Sequence, residues 1–171
     1  MSACVKNRRR PWAVLASAIG ALTGLGLVAD QTPTLAFLNE SPSLPRGLYL
    51  RRPGASVAVG AVVVAPQPPL ALPYLAGLGM PPEVRLIKRV AAVHGDLVCY
   101  EDGRVRTPSR TVALLDRDRR GVALPAWEEC RPLGAGEVFL LGDTPSSFDS
   151  RYFGPVRVRD VEGVFQESIR W

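Results

Sequence analysis

Three short segments carry residues able to do chemistry together. In Asn39-Glu40-Ser41-Pro42-Ser43-Leu44-Pro45, two serines lie two apart among prolines. Proline fixes φ and stiffens the local backbone, and a rigidly held hydroxyl suits a nucleophile. The same composition also describes an ordinary Ser/Pro linker. The second segment, Arg85-Leu86-Ile87-Lys88-Arg89-Val90, contains one of only two lysines, Lys6 and Lys88, against nineteen arginines. Arginine therefore serves wherever a plain positive charge suffices. Lysine differs because burial can strip its proton, and a neutral amine near neutral pH is a general base. Strand alternation places Leu86, Lys88 and Val90 on one face. If that face is buried, desolvation lowers the amine pKa. The third segment, Leu141-Gly142-Asp143-Thr144-Pro145-Ser146-Ser147-Phe148-Asp149-Ser150-Arg151-Tyr152-Phe153-Gly154, is a polar, turn-rich loop between apolar strands. Within it Asp149 can pair with Arg151, and Ser146, Ser147 and Ser150 offer hydroxyls.

These segments must be positioned by β-structure. Residues 57–64, 84–93 and 98–100 are β-branched and turn-bounded, as strands are. Shorter strands are expected at 105, 112–114, 122–124, 137–141 and 160–165. Asp102-Gly103 is a hairpin-type turn. Residues 66–82, rich in proline and leucine, are expected to form a loop with apolar side chains lying on a surface, such as lipid. Residues 31–40 suggest a linker. The fold class is mainly β, a β-rich domain over residues 30–171 behind one N-terminal transmembrane helix.

That helix is expected at residues 11–29, nineteen residues without a charge, close to the ~20 that span a bilayer. Lys6-Asn7-Arg8-Arg9-Arg10 precedes it, so residues 1–10 stay in the cytoplasm and the bulk lies outside. A cleaved signal peptide would have a shorter apolar core and a clearer small-residue exit. A buried core helix is the other alternative, disfavoured by the arginine block. Cys99 and Cys130 would then share an oxidising compartment, where a disulfide persists; two free buried thiols are the competing reading.

The formal charge of +5 and pI of about 9.6 raise nucleic acid as a partner. The basic residues are scattered, with no helix-turn-helix or zinc-finger pattern, so no nucleic-acid partner is expected. His94, the one histidine, sits in a Val-His-Gly-Asp turn. That disfavours a Ser-His-Asp triad, and with three separated cysteines it disfavours a zinc site. No metal or cofactor is expected.

Taken in order, the three segments resemble the signal peptidase I family of Ser/Lys serine peptidases. Its pattern is a serine followed shortly by Met/Leu and Pro after a membrane anchor, a Lys-Arg strand running to Gly-Asp, and a Gly-Asp…Ser-x-Asp-Ser-Arg-Tyr-x-Gly loop. Where the common bacterial form has Ser-Met-x-Pro-Thr, this chain has Ser43-Leu44-Pro45-Arg46-Gly47, which is similar to the TraF-type branch encoded with conjugative transfer systems. Thr144-Pro145 is a further departure. The resemblance implies Ser43 as nucleophile and Lys88 as general base. It implies an oxyanion hole from Ser41 and the Ser43 N–H, and Ser147 as the residue orienting the lysine. Asp143, Asp149 and Arg151 would be structural supports. It further implies a peptidase in the inner membrane with its catalytic domain in the periplasm. The substrate would be an exported precursor, pilin-like, cut next to the lipid after small side chains, with hydrolysis or cyclisation as outcome. A general leader peptidase and a non-catalytic membrane-anchored assembly module are the alternatives. A soluble self-cleaving repressor is disfavoured by the membrane segment.

Overall fold

A computed structural model describes Leu15, Ser17 and residues 33–171. The chain divides into two units, Met1–Pro33 and Thr34–Trp171. In the first, Leu15 and Ser17 are helical; the rest of the expected anchor, and all of residues 1–10, lie outside the described residues. Among the described residues no helix is long and apolar enough to cross a membrane.

The second unit is mainly β. Its elements are β1 (Ala36–Asn39), β2 (Gly47–Arg51), β3 (Val62–Ala65), α1 (Leu72–Gly77), β4 (Leu86–Ala92) and β5 (Leu97–Glu101). Then come β6 (Arg104–Arg106), β7 (Thr111–Ala113), β8 (Cys130–Pro132), β9 (Glu137–Leu141), α2 (Ser150–Phe153), β10 (Val156–Arg157) and β11 (Gly163–Arg170). One sheet runs β1-β2-β11-β3-β4-β9-β10, the other β7-β6-β5-β8. β4 pairs with β3, placing Lys88 opposite Val63, and with β9, placing Val90 opposite Leu140. A central strand covered on both faces reads as a continuous apolar run, and β4 is buried at Ile87, Lys88 and Val90 through Ala92.

Two cores flank this strand. Val63, Leu75, Val90, Leu140 and Phe153 pack in one. Ile87, on the opposite face of β4, packs with Leu44, Tyr49 and Phe165. A further cluster around Val98, Trp127 and Phe139 fills the smaller sheet. Asp102 and Gly103 both have positive φ, 50° and 70°, as the tight turn between β5 and β6 requires. Cys99 and Cys130 face each other in register across β5 and β8 and form a disulfide.

Several expectations are corrected. The strand expected over 57–64 begins only at Val62, because Gly60 turns at φ +89°. The expected linker contains β1, which is held by pairing to β2. No strand forms at 122–124, where Ala123 makes a single bridge to Arg117. The last strand starts at Gly163, after a 3-10 turn over Val158–Asp160. Residues 66–82 are not simply a surface loop. They contain α1, whose Pro73 sits in the first helical turn, where a missing N–H costs nothing. Ala71 and Leu75 are buried in the core, while Leu70 and Leu72 stay exposed.

Candidate active site

The serine segment is the connection between β1 and β2, and a buried asparagine shapes it. The Asn39 side-chain amide contacts the carbonyl oxygens of Ser41, Leu44 and Pro45 at 3.0–3.1 Å. Its Oδ1 accepts the Ser41 N–H at 3.1 Å. Such side-chain-to-backbone bonds replace the ladder that a tight loop cannot form. The Tyr49 hydroxyl donates to the Pro45 carbonyl at 2.8 Å, closing the loop from below. Ser43 is thereby buried, and its Oγ lies 2.7 Å from the Ser41 Oγ. The Ser43 N–H donates to the same Ser41 Oγ at 3.2 Å.

Lys88 comes from β4 on the face shared with Leu86 and Val90, which is the face packed into the core. Its side chain is 5% exposed. Nζ donates to the Ser147 Oγ at 3.2 Å. Burial pushes the amine from its ordinary 10.5 down to about 8. The Asp149 carboxylate opposes that fall, and the Arg151 guanidinium adds to it. Ser41, Ser43, Lys88 and Ser147 line one cavity of about 310 Å³, with Phe37, Leu75, Met80, Leu86 and Ile87 among its apolar walls.

Ser147 is placed by the loop between β9 and α2, which is organised by Asp149 and Arg151. Asp149 caps α2, and its Oδ2 accepts the Gly142 N–H at 2.9 Å. Arg151, fully buried, donates through Nε and one terminal nitrogen to Asp149 at 2.8 and 2.9 Å. Its terminal nitrogens also donate to the carbonyls of Ala113, Pro145 and Ser147 at 2.9, 3.1 and 2.8 Å. Ser150 Oγ accepts the Leu140 N–H, tying α2 to β9. Asp143 accepts two bonds from Arg89, at 3.0 and 2.8 Å, with Arg110 3.8 Å away. The Arg89 hydrogen bonds hold its carboxyl below the usual range. The Asp143 N–H bonds the Ser43 carbonyl, stitching this loop to the serine loop.

The expected site residues therefore gather in two places. Ser41, Ser43, Lys88 and Ser147 share the cavity, while Asp143, Asp149 and Arg151 hold its walls. Sequence reasoning missed Asn39 and Gly142. Asn39 was visible as an Asx residue two before a serine. Gly142 is needed for space: a Cβ there would meet the Ser147 Oγ at 2.1 Å and the Ser43 carbonyl at 2.9 Å. Such an approach is set by folding alone. His94 is exposed in its turn, its Nδ1 near the Leu133 carbonyl. A group of metal-capable residues among those described, Cys99, Glu101 and Cys130, has both sulfurs tied in the disulfide.

Residues 11–171 match the model of the family described as signal peptidase, peptidase S26. Two plasmid transfer proteins TraF from Escherichia coli are 33% and 31% identical to the chain. Each alignment covers 90% of this chain and 94% or 93% of the relative. A signal peptidase I from Enterococcus faecalis V583, 26% identical, aligns over 64% of this chain and 97% of its own at a TM-score of 0.41.

Proposed function

The chain belongs to the signal peptidase, peptidase S26 family, and on that premise we propose that it is a Ser/Lys endopeptidase that removes leader peptides from exported precursors. The observation that carries this is one cavity holding two reactive groups: a buried hydroxyl, Ser43, and a buried amine, Lys88, lowered to about 8. A serine hydroxyl is a weak nucleophile and needs an adjacent base. Neutral Lys88 takes the Ser43 proton as Oγ attacks the scissile carbonyl. The oxyanion accepts from the Ser43 N–H and, once its hydroxyl turns, from Ser41. One such donor lowers the barrier by ~3 kcal/mol in comparable sites. The Lys88 ammonium then protonates the leaving amine and, neutral again, activates water against the acyl-enzyme. Ser147 fixes the amine throughout. Ser-Lys is a known variant of triad logic.

The substrate side rests on the relatives. The TraF relatives are plasmid transfer proteins, and the precursor here is a pilin-like subunit of a conjugative system, cut after a small side chain. An amine of the same chain can replace water at the acyl-enzyme, which permits cyclisation. Residues 11–29 anchor the enzyme in the inner membrane, with residues 30–171 in the periplasm, and the exposed Leu70 and Leu72 rest at the lipid surface. The test is cleavage of a precursor peptide by the purified protein, with mass spectrometry of an acyl group on Ser43. Ser43→Ala is expected to abolish both signals. Retained cleavage by that variant sinks the proposal.

A further inference from the structure

A second cavity, of about 460 Å³, lies beside the one that holds Ser43 and Lys88. The two share a wall, Ser146 and Phe148, residues that flank Ser147 on either side. Ser147 itself holds the Lys88 amine. Ser146 and Phe148 border both cavities, so a peptide that leaves the first over this wall enters the second.

The two cavities differ in chemistry. The first has largely apolar walls. The second has an aromatic floor and a cationic rim. Tyr74 and Phe148 lie 4.5 Å apart, and Phe148 stacks on Tyr152 at 5.2 Å. Arg117, Arg119 and Arg120 line the rim, with Asp118 as the acidic residue among its lining. That carboxylate is occupied. It accepts the Tyr74 hydroxyl at 3.1 Å and the Arg120 and Val122 N–H groups at 2.8 and 2.9 Å, and it lies 3.6 Å from the Arg120 Nε. Arg117 donates to the Gly121 carbonyl. Asp118 thus folds the 117–122 loop around itself and leaves the rim net positive, with the three arginines exposed.

We infer that this cavity is a subsite for an acidic segment of the precursor, on the mature side of the scissile bond. It rests on the peptidase role proposed above: apolar leader residues suit the first cavity, so the charged one receives the other half. Arginine matches carboxylates with paired donors, and the aromatic floor offers apolar contact to the backbone and side-chain stems.

The test uses two precursor peptides with the same leader half. Residues two to four after the cut are Asp-Glu-Asp in one and Lys-Lys-Lys in the other. Wild-type kcat/KM is expected to favour the acidic peptide by about tenfold, a preference of ~1.4 kcal/mol that shrinks with added salt. Arg119→Glu/Arg120→Glu is expected to reverse it. A second arm measures binding of the two mature-half peptides to the Ser43→Ala protein, which needs no catalysis. Expected is tighter binding of the acidic half, lost in Arg119→Glu/Arg120→Glu on the Ser43→Ala background. Equal binding of both halves overturns the subsite, whether or not cleavage occurs. Absence of cleavage with a retained acidic preference overturns the peptidase role alone.

Discussion

Two cations lie buried within one small region, and they are treated oppositely. Arg151, 1% exposed, reaches both Asp149 oxygens and the carbonyls of Ala113, Pro145 and Ser147. Lys88, 5% exposed, donates to the Ser147 hydroxyl. A buried charge is costly unless paired and hydrogen-bonded. Arg151 meets that condition and its pKa is raised, the Asp149 bonds overcoming its desolvation. Lys88 does not meet it and gives up part of its basicity instead. The same burial holds one residue as a fully charged strut and leaves the other readier to lose its proton. What differs is whether the surroundings compensate the charge.

The largest test of that contrast is Lys88→Met. It removes the amine at similar length, and cleavage is expected to fall by ~10²–10⁴, the usual contribution of a general base. Thermal unfolding is expected to show the protein ~1–3 kcal/mol more stable at neutral pH, since an incompletely compensated charge has gone. Lys88→Arg is expected to lose activity equally, because arginine supplies no neutral amine; near-normal cleavage by it would refute the Ser/Lys mechanism. Arg151→Met is the counterpart. It strands Asp149 and several carbonyls, and denaturant titration is expected to show a loss of ~3–5 kcal/mol. A neutral result there erases the contrast.

The pH dependence sharpens it further. With Lys88 near 8, kcat/KM is expected to rise about tenfold per pH unit below that value and to level off above it. Stability follows from linkage. Between about 8 and 10.5 the unfolded lysine holds more proton than the folded one, so stability rises with pH across that window. Below about 8 the penalty of the buried ammonium is fully present. Lys88→Met is expected to flatten this rise. The smallest effect is that of Ser147→Ala, about a tenfold loss in kcat. Because an acceptor to the charged amine is lost, the inflection is expected to move to lower pH. An unchanged inflection means that Ser147 does not act on the amine.

Much of the site was legible because it depends on local chemistry. The rarity of lysine marked Lys88. The alternation of β4 placed it with Leu86 and Val90, and that face is indeed packed. The Asp149–Arg151 pair was visible at a spacing of two, and the Asp102-Gly103 turn by its residue types. Elements stabilised by distant partners were misread. β1 is a strand because β2 lies beside it, and α1 is a helix because Leu75 finds a core. A six-residue helix has too few bonds to stand by itself, so its local signal is weak and its prolines dominate the reading.

The sequence by itself determined which chemically capable groups are present: a serine pair stiffened by prolines, one lysine where arginine is the habit, and a loop of serines beside an ion pair. Their types follow from composition and their faces from strand periodicity. Only the tertiary structure decided how they meet. It set the depth at which Lys88 lies, and hence its lowered pKa. It brought Ser147 to Nζ from fifty-nine residues away. It pressed Gly142 so close to Ser43 and Ser147 that no side chain fits. Desolvation and close approach are properties of three-dimensional neighbours, and a linear pattern carries the candidates for them but not their distances.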